Sequence, residues 1–198
     1  MIIKDYSVSQ EEFTLVYDSL LELYRTNPVP DELGKYYESE AYISHTDSRK
    51  TLFDRLYQWV KSYNLKHKIA LIKQYKKGNI QLLDIGAGTG DFVLSSKEYA
   101  HWEAMGIEPS EKARTKAKEK GILLQADFSN LPPYSFDVIT MWHVLEHVPD
   151  VTQEIQIISN LLKENGIAVI AVPNYRSWDA QHYKEHWAAY DVHRHLWH

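Results

Sequence analysis

The sequence predicts an α/β fold: a doubly wound, mostly parallel sheet with helices on both faces, entered through an N-terminal helical extension. Three observations carry that reading. A charged helix end runs into a glycine and then an apolar strand three times, at Lys76-Lys77-Gly78, Glu119-Lys120-Gly121 and Glu164-Asn165-Gly166. Strand and helix patterns alternate from Gly78 onward at the spacing of right-handed crossovers. An acid (Asp84, Glu108, Asp127) closes each of the first three strands.

Taken in order, the elements begin with a helix. Ser9 and Glu12 have capping-box spacing. Phe13, Val16, Tyr17, Leu20, Leu21 and Tyr24 then recur at helical intervals until Pro28 and Pro30 stop them. Tyr36 to His45 has no clean period. A second helix is expected from near Ser48 to Tyr63 and a third from Leu65 to Lys76. The strands that follow are Ile80–Ile85, Glu103–Ile107, Ile122–Ala126, Phe136–Met141 and Ile167–Val172. The intervening helices are Gly90–Tyr99, Ser110–Lys120 and Asp150–Lys163. A glycine just past a helix is the favoured left-handed cap, and lysines in the last turn suit the negative end of the helix dipole.

Composition narrows the classes. The chain of 198 residues is 44% apolar, enough for one domain with a core. It has no cysteine, which excludes disulfides, thiolate metal sites and a cysteine nucleophile. Its formal charge of −5 argues against a nucleic-acid backbone as partner. No apolar run is long enough to span a membrane, and the opening residues do not read as a secretory leader. A cytoplasmic location without membrane partners is therefore expected.

Open parallel sheets bind ligands at the carboxyl ends of their strands, so Asp84, Glu108 and Asp127 point to a ligand with donor groups and positive charge. The alternative for any one of them is an ordinary helix cap. The segment from Leu82 to Gly90 reads as strand, tight turn and helix start, with Gly86, Gly88 and Gly90 free to take positive φ and to let a ligand approach. Nicotinamide loops want a third glycine where Asp91 stands. Asp91 also occupies the positive end of its helix, where a pyrophosphate would otherwise sit. No Walker lysine follows. The loop thus reads as one for a cofactor without phosphates.

At these residues the chain resembles class I methyltransferases of the Rossmann-like type, close to the small-molecule branch that includes quinone methyltransferases. The resemblance is carried by Asp84-Ile85-Gly86-Ala87-Gly88-Thr89-Gly90, Gly106-Ile107-Glu108-Pro109-Ser110, Ala126-Asp127-Phe128, the stretch from Phe136 through Trp142-His143-Val144-Leu145-Glu146-His147-Val148, and Leu162 through Pro173-Asn174. It implies S-adenosyl-L-methionine as cofactor, with S-adenosyl-L-homocysteine as product. Asp84, Gly86, Ala87, Gly88 and Gly90 would cradle its methionine part. Glu108, with Pro109, would take the ribose hydroxyls, as a two-oxygen acceptor suits a vicinal diol. Asp127 and Phe128 would read the adenine. Trp142, His143 and Tyr37 would also line the cofactor site.

The resemblance divides the chain into residues 1–77, a helical lid or cap in the same domain, and residues 78–198, the cofactor-binding core. Relatives continue with a helix and an antiparallel hairpin, so the chain is expected to be truncated or shortened, with five parallel strands. The edge beside the fifth strand would be covered by the last residues or by another subunit. The protein is expected to be a monomer or homodimer acting on a small-molecule acceptor.

A general base near neutral pH is suited to histidine. His143 and His147 are the catalytic candidates, and His45, Trp187, Asp191 and His195 the acceptor-side ones. The segment from Trp187 to Leu196 resembles a family segment with proline where His193 stands. His143-Val144-Leu145-Glu146-His147 also fits the inverted zinc-protease pattern. That chemistry needs a stable helix and a third ligand, yet a strand leads into His143 and Pro149 follows closely. No metal is expected there. His182 and His186, four apart, read as an adventitious metal-binding face. Three functions stay open: a small-molecule methyltransferase, an inactive module that binds the same cofactor, and, weakest, a nicotinamide oxidoreductase.

Overall fold

A computed structural model of the protein describes residues 1–6, 10–29 and 52–198. They form two compact units. One comprises residues 52–141 and 155–169, the other residues 1–29, 142–154 and 170–198.

In the first unit, α1 (Leu52–Tyr75) leads into β4 (Gln81–Ile85), α2 (Asp91–Ala100), β5 (Glu103–Ile107), α3 (Glu111–Glu119) and β6 (Phe136–Trp142), and α4 (Val151–Leu161) runs into β7 (Leu162–Ala171). The sheet order is β5-β4-β6-β7. β4 is parallel to β5, with Asp84 opposite Gly106, and to β6, with Asp84 opposite Thr140. The chain leaves β4 toward one side and returns on the other, so the carboxyl end of β4 is the switch point where such sheets bind ligands. The predicted parallel α/β fold, with flanking helices, is what the chain adopts. Leu82, Leu83, Val138, Ile139 and Met141 are fully buried between the layers.

Several expectations are corrected. Residues 12–27 are strands rather than a helix. β1 (Ile2–Lys4), β2 (Glu12–Asp18) and β3 (Leu23–Asn27) make an antiparallel sheet in the second unit. The apolar residues had satisfied a helical interval, but Phe13 and Leu15 alternate inward while Thr14 and Val16 face out. Phe, Thr, Val and Tyr in succession suit a pleated, half-buried surface. Leu20, on the apolar face of the expected helix, is 89% exposed in the hairpin turn. That turn is closed by the Asp18 carboxylate, which accepts from the Leu20 and Leu21 amides at 2.8 and 3.1 Å. Ser9 and the start proposed at Ser48 lie outside the described residues.

The two helices expected on either side of Asn64 are one, because a single asparagine costs a helix interior only a fraction of a kcal/mol and neither glycine nor proline interrupts it. The expected strand 122–126 reduces to one bridge, Ile107 with Gln125. The sheet therefore has four strands, not five. Gly78 and Gly121 take the left-handed conformation at φ 85° and 81°, as the cap pattern predicts. At the third site the left-handed residue is Asn165, φ 64°. Gly166 is instead a close-packed position, where a Cβ would lie 2.9 Å from the Lys163 carbonyl oxygen.

Candidate functional site

The loop after β4 is built as its glycines require. Gly86, Gly88 and Gly90 have φ of 69°, 55° and 76°. The Ala87 amide donates to the Ile107 carbonyl at 2.9 Å and the Gly90 amide to the Ala87 carbonyl at 2.9 Å, which folds the turn back on β5. The glycines are constrained differently. A Cβ on Gly90 would press on Ile122 and Ala117, whereas one on Gly88 would meet nothing within 4 Å. The middle of the loop therefore faces open space, as a cradle for a ligand must.

Glu108 joins this loop to the end of β5. One carboxylate oxygen accepts from the Gly88 amide at 2.8 Å and the other from the Ser110 amide at 2.9 Å. Each oxygen retains a lone pair for a further donor. Arg114 anchors the following turn by donating to the carbonyls of Glu108 and Pro109, at 2.7 and 2.6 Å. Asp127 is exposed, and the Ser129 amide and hydroxyl both donate to one of its oxygens. Those bonds hold its carboxyl below the usual range. Phe128 beside it is half-buried.

Asp84 occupies a different position from the other two acids. It is 3% exposed and accepts from the Thr140 hydroxyl at 2.6 Å. Burial raises its pKa to about 7, against the opposing pull of Thr140 and Lys68. It supports the loop from within the sheet rather than lining a groove. Asp91 also departs from expectation. It is ion-paired with Lys61 at 2.8 Å and Lys120 at 3.0 Å, and Thr89 donates to it at 2.8 Å. Burial pulls its pKa up, but these donors outweigh burial and lower it. An acid so compensated repels an anion far less than a bare one would. The charge argument against phosphates therefore weakens, and the missing third glycine carries it. In the sequence Lys120 reads only as a helix-end charge. Lys61 comes from α1, a partner that no local pattern announces.

A cavity of about 510 Å³ is lined by Gln81, Glu103 and Phe136 among others. Gln81, Glu103 and Phe136 open their strands. This cavity lies at the amino ends, away from the glycine loop.

Trp142, His143, His147, Trp187, Asp191 and His195 belong to the second unit. His143 is exposed at φ 60°, with its Nδ1 3.5 Å from a Glu146 carboxylate oxygen. His147 sits in a 3₁₀ turn, Leu145–His147, rather than on a helix. Its Nδ1 lies 3.1 Å from the Arg194 carbonyl. His195 is buried, with Nδ1 3.0 Å from the Ala189 carbonyl. Burial pushes both imidazoles below their ordinary pKa, toward the neutral form. Their rings meet edge to face at 4.6 Å. Asp191 at φ 41° receives Arg194 and stands 3.1 Å from the His193 Nδ1. Trp187 packs on the cluster of Ile3, Phe13, Leu15, Tyr190 and Val192. His193 is buried and also stands 3.3 Å from Asp5. Tyr37 and His45 lie outside the described residues.

A glycine turn at the switch point, tied to an acid at the next strand end, defines a Rossmann-like binder of a nucleoside-containing cofactor. The family model described as "Methyltransferase domain" matches residues 54–198. The chain belongs to that family, in its class I, S-adenosylmethionine-dependent form. Among curated relatives, a ubiquinone biosynthesis O-methyltransferase of Aeromonas salmonicida is 34% identical over 103 residues, 48% of this chain and 43% of the relative. The one from Histophilus somni is 30% identical over 131 residues, 56% and 54% of the two chains. The chain thus spans about half the length of the curated relatives it matches. In fold it is similar to phosphoethanolamine N-methyltransferase 2 of Haemonchus contortus, solved with S-adenosyl-L-methionine, at a TM-score of 0.57 and 17% identity over 85% of this chain and 40% of that one. A methyltransferase of Archaeoglobus fulgidus gives 0.50 and 24% over 66% and 61%.

Proposed function

We propose that the protein transfers a methyl group from S-adenosyl-L-methionine to a hydroxyl of a small-molecule acceptor. The observation that carries this reading is the bond from the Gly88 amide to the Glu108 carboxylate, which ties the glycine loop and the ribose-type acid into one binding feature. The bound donor supplies a methyl already activated by a sulfonium. In this proposal, Gly86, Ala87, Gly88 and Gly90 hold the methionine part with backbone groups, and Asp84 braces the loop beneath them. Glu108 and Pro109 hold the ribose, and Asp127 and Phe128 the adenine. Trp142, His143 and Tyr37 complete the donor site. Hydroxyl rather than amine acceptance follows the O-methyltransferase names of the curated relatives.

The protein's own part is to align the acceptor and keep water away. His143 takes the acceptor proton, with His147 as the second choice. His45, Trp187, Asp191 and His195 belong to the acceptor side. Residues 1–77 act as a lid and residues 78–198 as the core. The acidic balance favours small molecules over nucleic acid. No helix among the described residues is long and apolar enough to cross a membrane, and we place the protein in the cytoplasm, as a monomer or homodimer.

Calorimetry with S-adenosylhomocysteine, and with NAD as control, tests the donor. Binding of the first but not the second is expected. No binding of S-adenosylhomocysteine would overturn the reading. Turnover of labelled donor against a panel of phenols and amines then separates an enzyme from a binding module.

A further inference from the structure

We propose that Glu146, His147 and His195 form a binding site for one first-row divalent cation of the zinc class. Each offers one ligand atom, and these atoms all lie within 4.8 Å of one another. Ligands of a tetrahedral zinc ion at about 2.0–2.1 Å sit about 3.4 Å apart, so a contraction of roughly an ångström would close the set. Two imidazoles and one carboxylate are a common donor set for such a cation.

A second observation points to a ligand independently of that spacing. The Glu146 side chain is 2% exposed, and neither of its carboxylate oxygens accepts a hydrogen bond. His143 Nδ1 lies 3.5 Å from one of them, on an exposed ring. A buried carboxyl group without hydrogen bonds is costly. A cation held by Glu146 and its two histidine neighbours removes that cost.

The surroundings favour coordination. The Nδ1 atoms of His147 and His195 face the carbonyls of Arg194 and Ala189. A carbonyl accepts, so the proton belongs on Nδ1 and the lone pair on Nε2, as backbone partners fix it in metal-binding histidines. The two segments are already fastened together. The Glu146 carbonyl accepts from the Leu196 and Trp197 amides at 2.7 and 3.3 Å, and the Trp197 indole donates to the Val148 carbonyl at 2.7 Å. The sequence pattern His-x-x-Glu-His lacked a third ligand. The fold brings His195 to that place, whereas His143 stays at the surface. A cation here would also take His147 out of consideration as a base and leave His143.

The test needs no turnover. The full chain is loaded with excess Zn²⁺, desalted and analysed for bound metal, with Mg²⁺ as the comparison. One zinc per chain and no magnesium are expected. Glu146→Gln and His195→Ala should each lower retention at least about tenfold, while the double change His182→Ala, His186→Ala leaves it unchanged. Cobalt substitution of the unmodified chain should give the intense visible bands of a four- or five-coordinate ion. Loss of zinc on desalting, retention that Glu146→Gln and His195→Ala do not alter, dependence on His182 and His186, or a weak octahedral cobalt spectrum would each overturn the proposal.

Discussion

In the unit that carries the glycine loop, Leu82, Leu83, Val138, Ile139 and Met141 are buried in adjacent strands, and the buried Asp84 is satisfied by Thr140 from the neighbouring strand. In the other unit, Ile3, Phe13, Leu15, Val192 and Leu196 share the interior with Asp5, Thr26, Glu146, His193 and His195. There the Thr26 hydroxyl reaches the His195 carbonyl across 169 positions of sequence, at 2.7 Å. The first unit is stabilised mainly by apolar layers between neighbouring strands. The second is held by ionisable and hydroxyl groups that only the finished fold brings together. A scaffold for a cofactor tolerates the first kind of construction. A cluster of imidazoles and carboxylates requires the second.

That contrast can be broken most sharply at Asp84. Its folded pKa of about 7 lies above the ordinary 3.8, so the folded state keeps a proton that the unfolded chain releases. The penalty begins as pH rises past about 4 and is complete above about 7. A shift of roughly three units corresponds to on the order of 4 kcal/mol. Urea titrations should show the native chain losing stability across that window relative to Asp84→Asn, and parallel pH profiles would refute the assignment. In the other unit, Asp5→Ala removes one of the two carboxylates beside the buried His193 Nδ1 and should cost about 1–3 kcal/mol, the range for losing a buried polar partner. Unfolding followed by tryptophan fluorescence checks it, and a cost below about 1 kcal/mol would mean that the pair is not needed.

Glu108→Ala should weaken S-adenosylhomocysteine by about 1.5–3 kcal/mol per hydrogen bond lost, with Glu108→Gln intermediate. Unchanged affinity in calorimetry would place the ribose elsewhere. The smallest effect belongs to Lys61→Met. Lys120 and Thr89 remain on Asp91, and the pair is partly solvated, so under about 1 kcal/mol is expected. A larger loss in thermal melts would mean that Lys61 does more than balance charge.

The parts read correctly from the sequence are those whose signals are local. The strand that carries Asp84, the positive-φ glycines and the caps at Gly78 and Gly121 depend on neighbours a few residues away. Phe13 to Tyr24 failed because apolar residues three and four apart in a short segment also contain a two-residue alternation, and burial against Tyr190 and Val192 decided between them. The strand expected at 122–126 failed because apolar content does not secure ladder pairing, and Gln125 alone bridges to β5. Lys61 with Asp91, and His195 with Glu146, are long-range meetings that no spacing rule contains. Where site residues fell in the second unit, their residue types were readable but their partners were not.

The chain's last residues finish β3 rather than the edge of the parallel sheet. Tyr24 and His198 exchange both backbone bonds at 2.8 Å, and the Thr26 amide donates to the Leu196 carbonyl at 3.0 Å. Three of the hairpin's outward backbone groups, the Tyr24 amide and carbonyl and the Thr26 amide, are thereby paired within the molecule. A bare β-ribbon edge is a template for its neighbours in a concentrated solution, so this short C-terminal seam is also a safeguard of colloidal behaviour, and loosening it should first appear as self-association rather than as loss of cofactor binding.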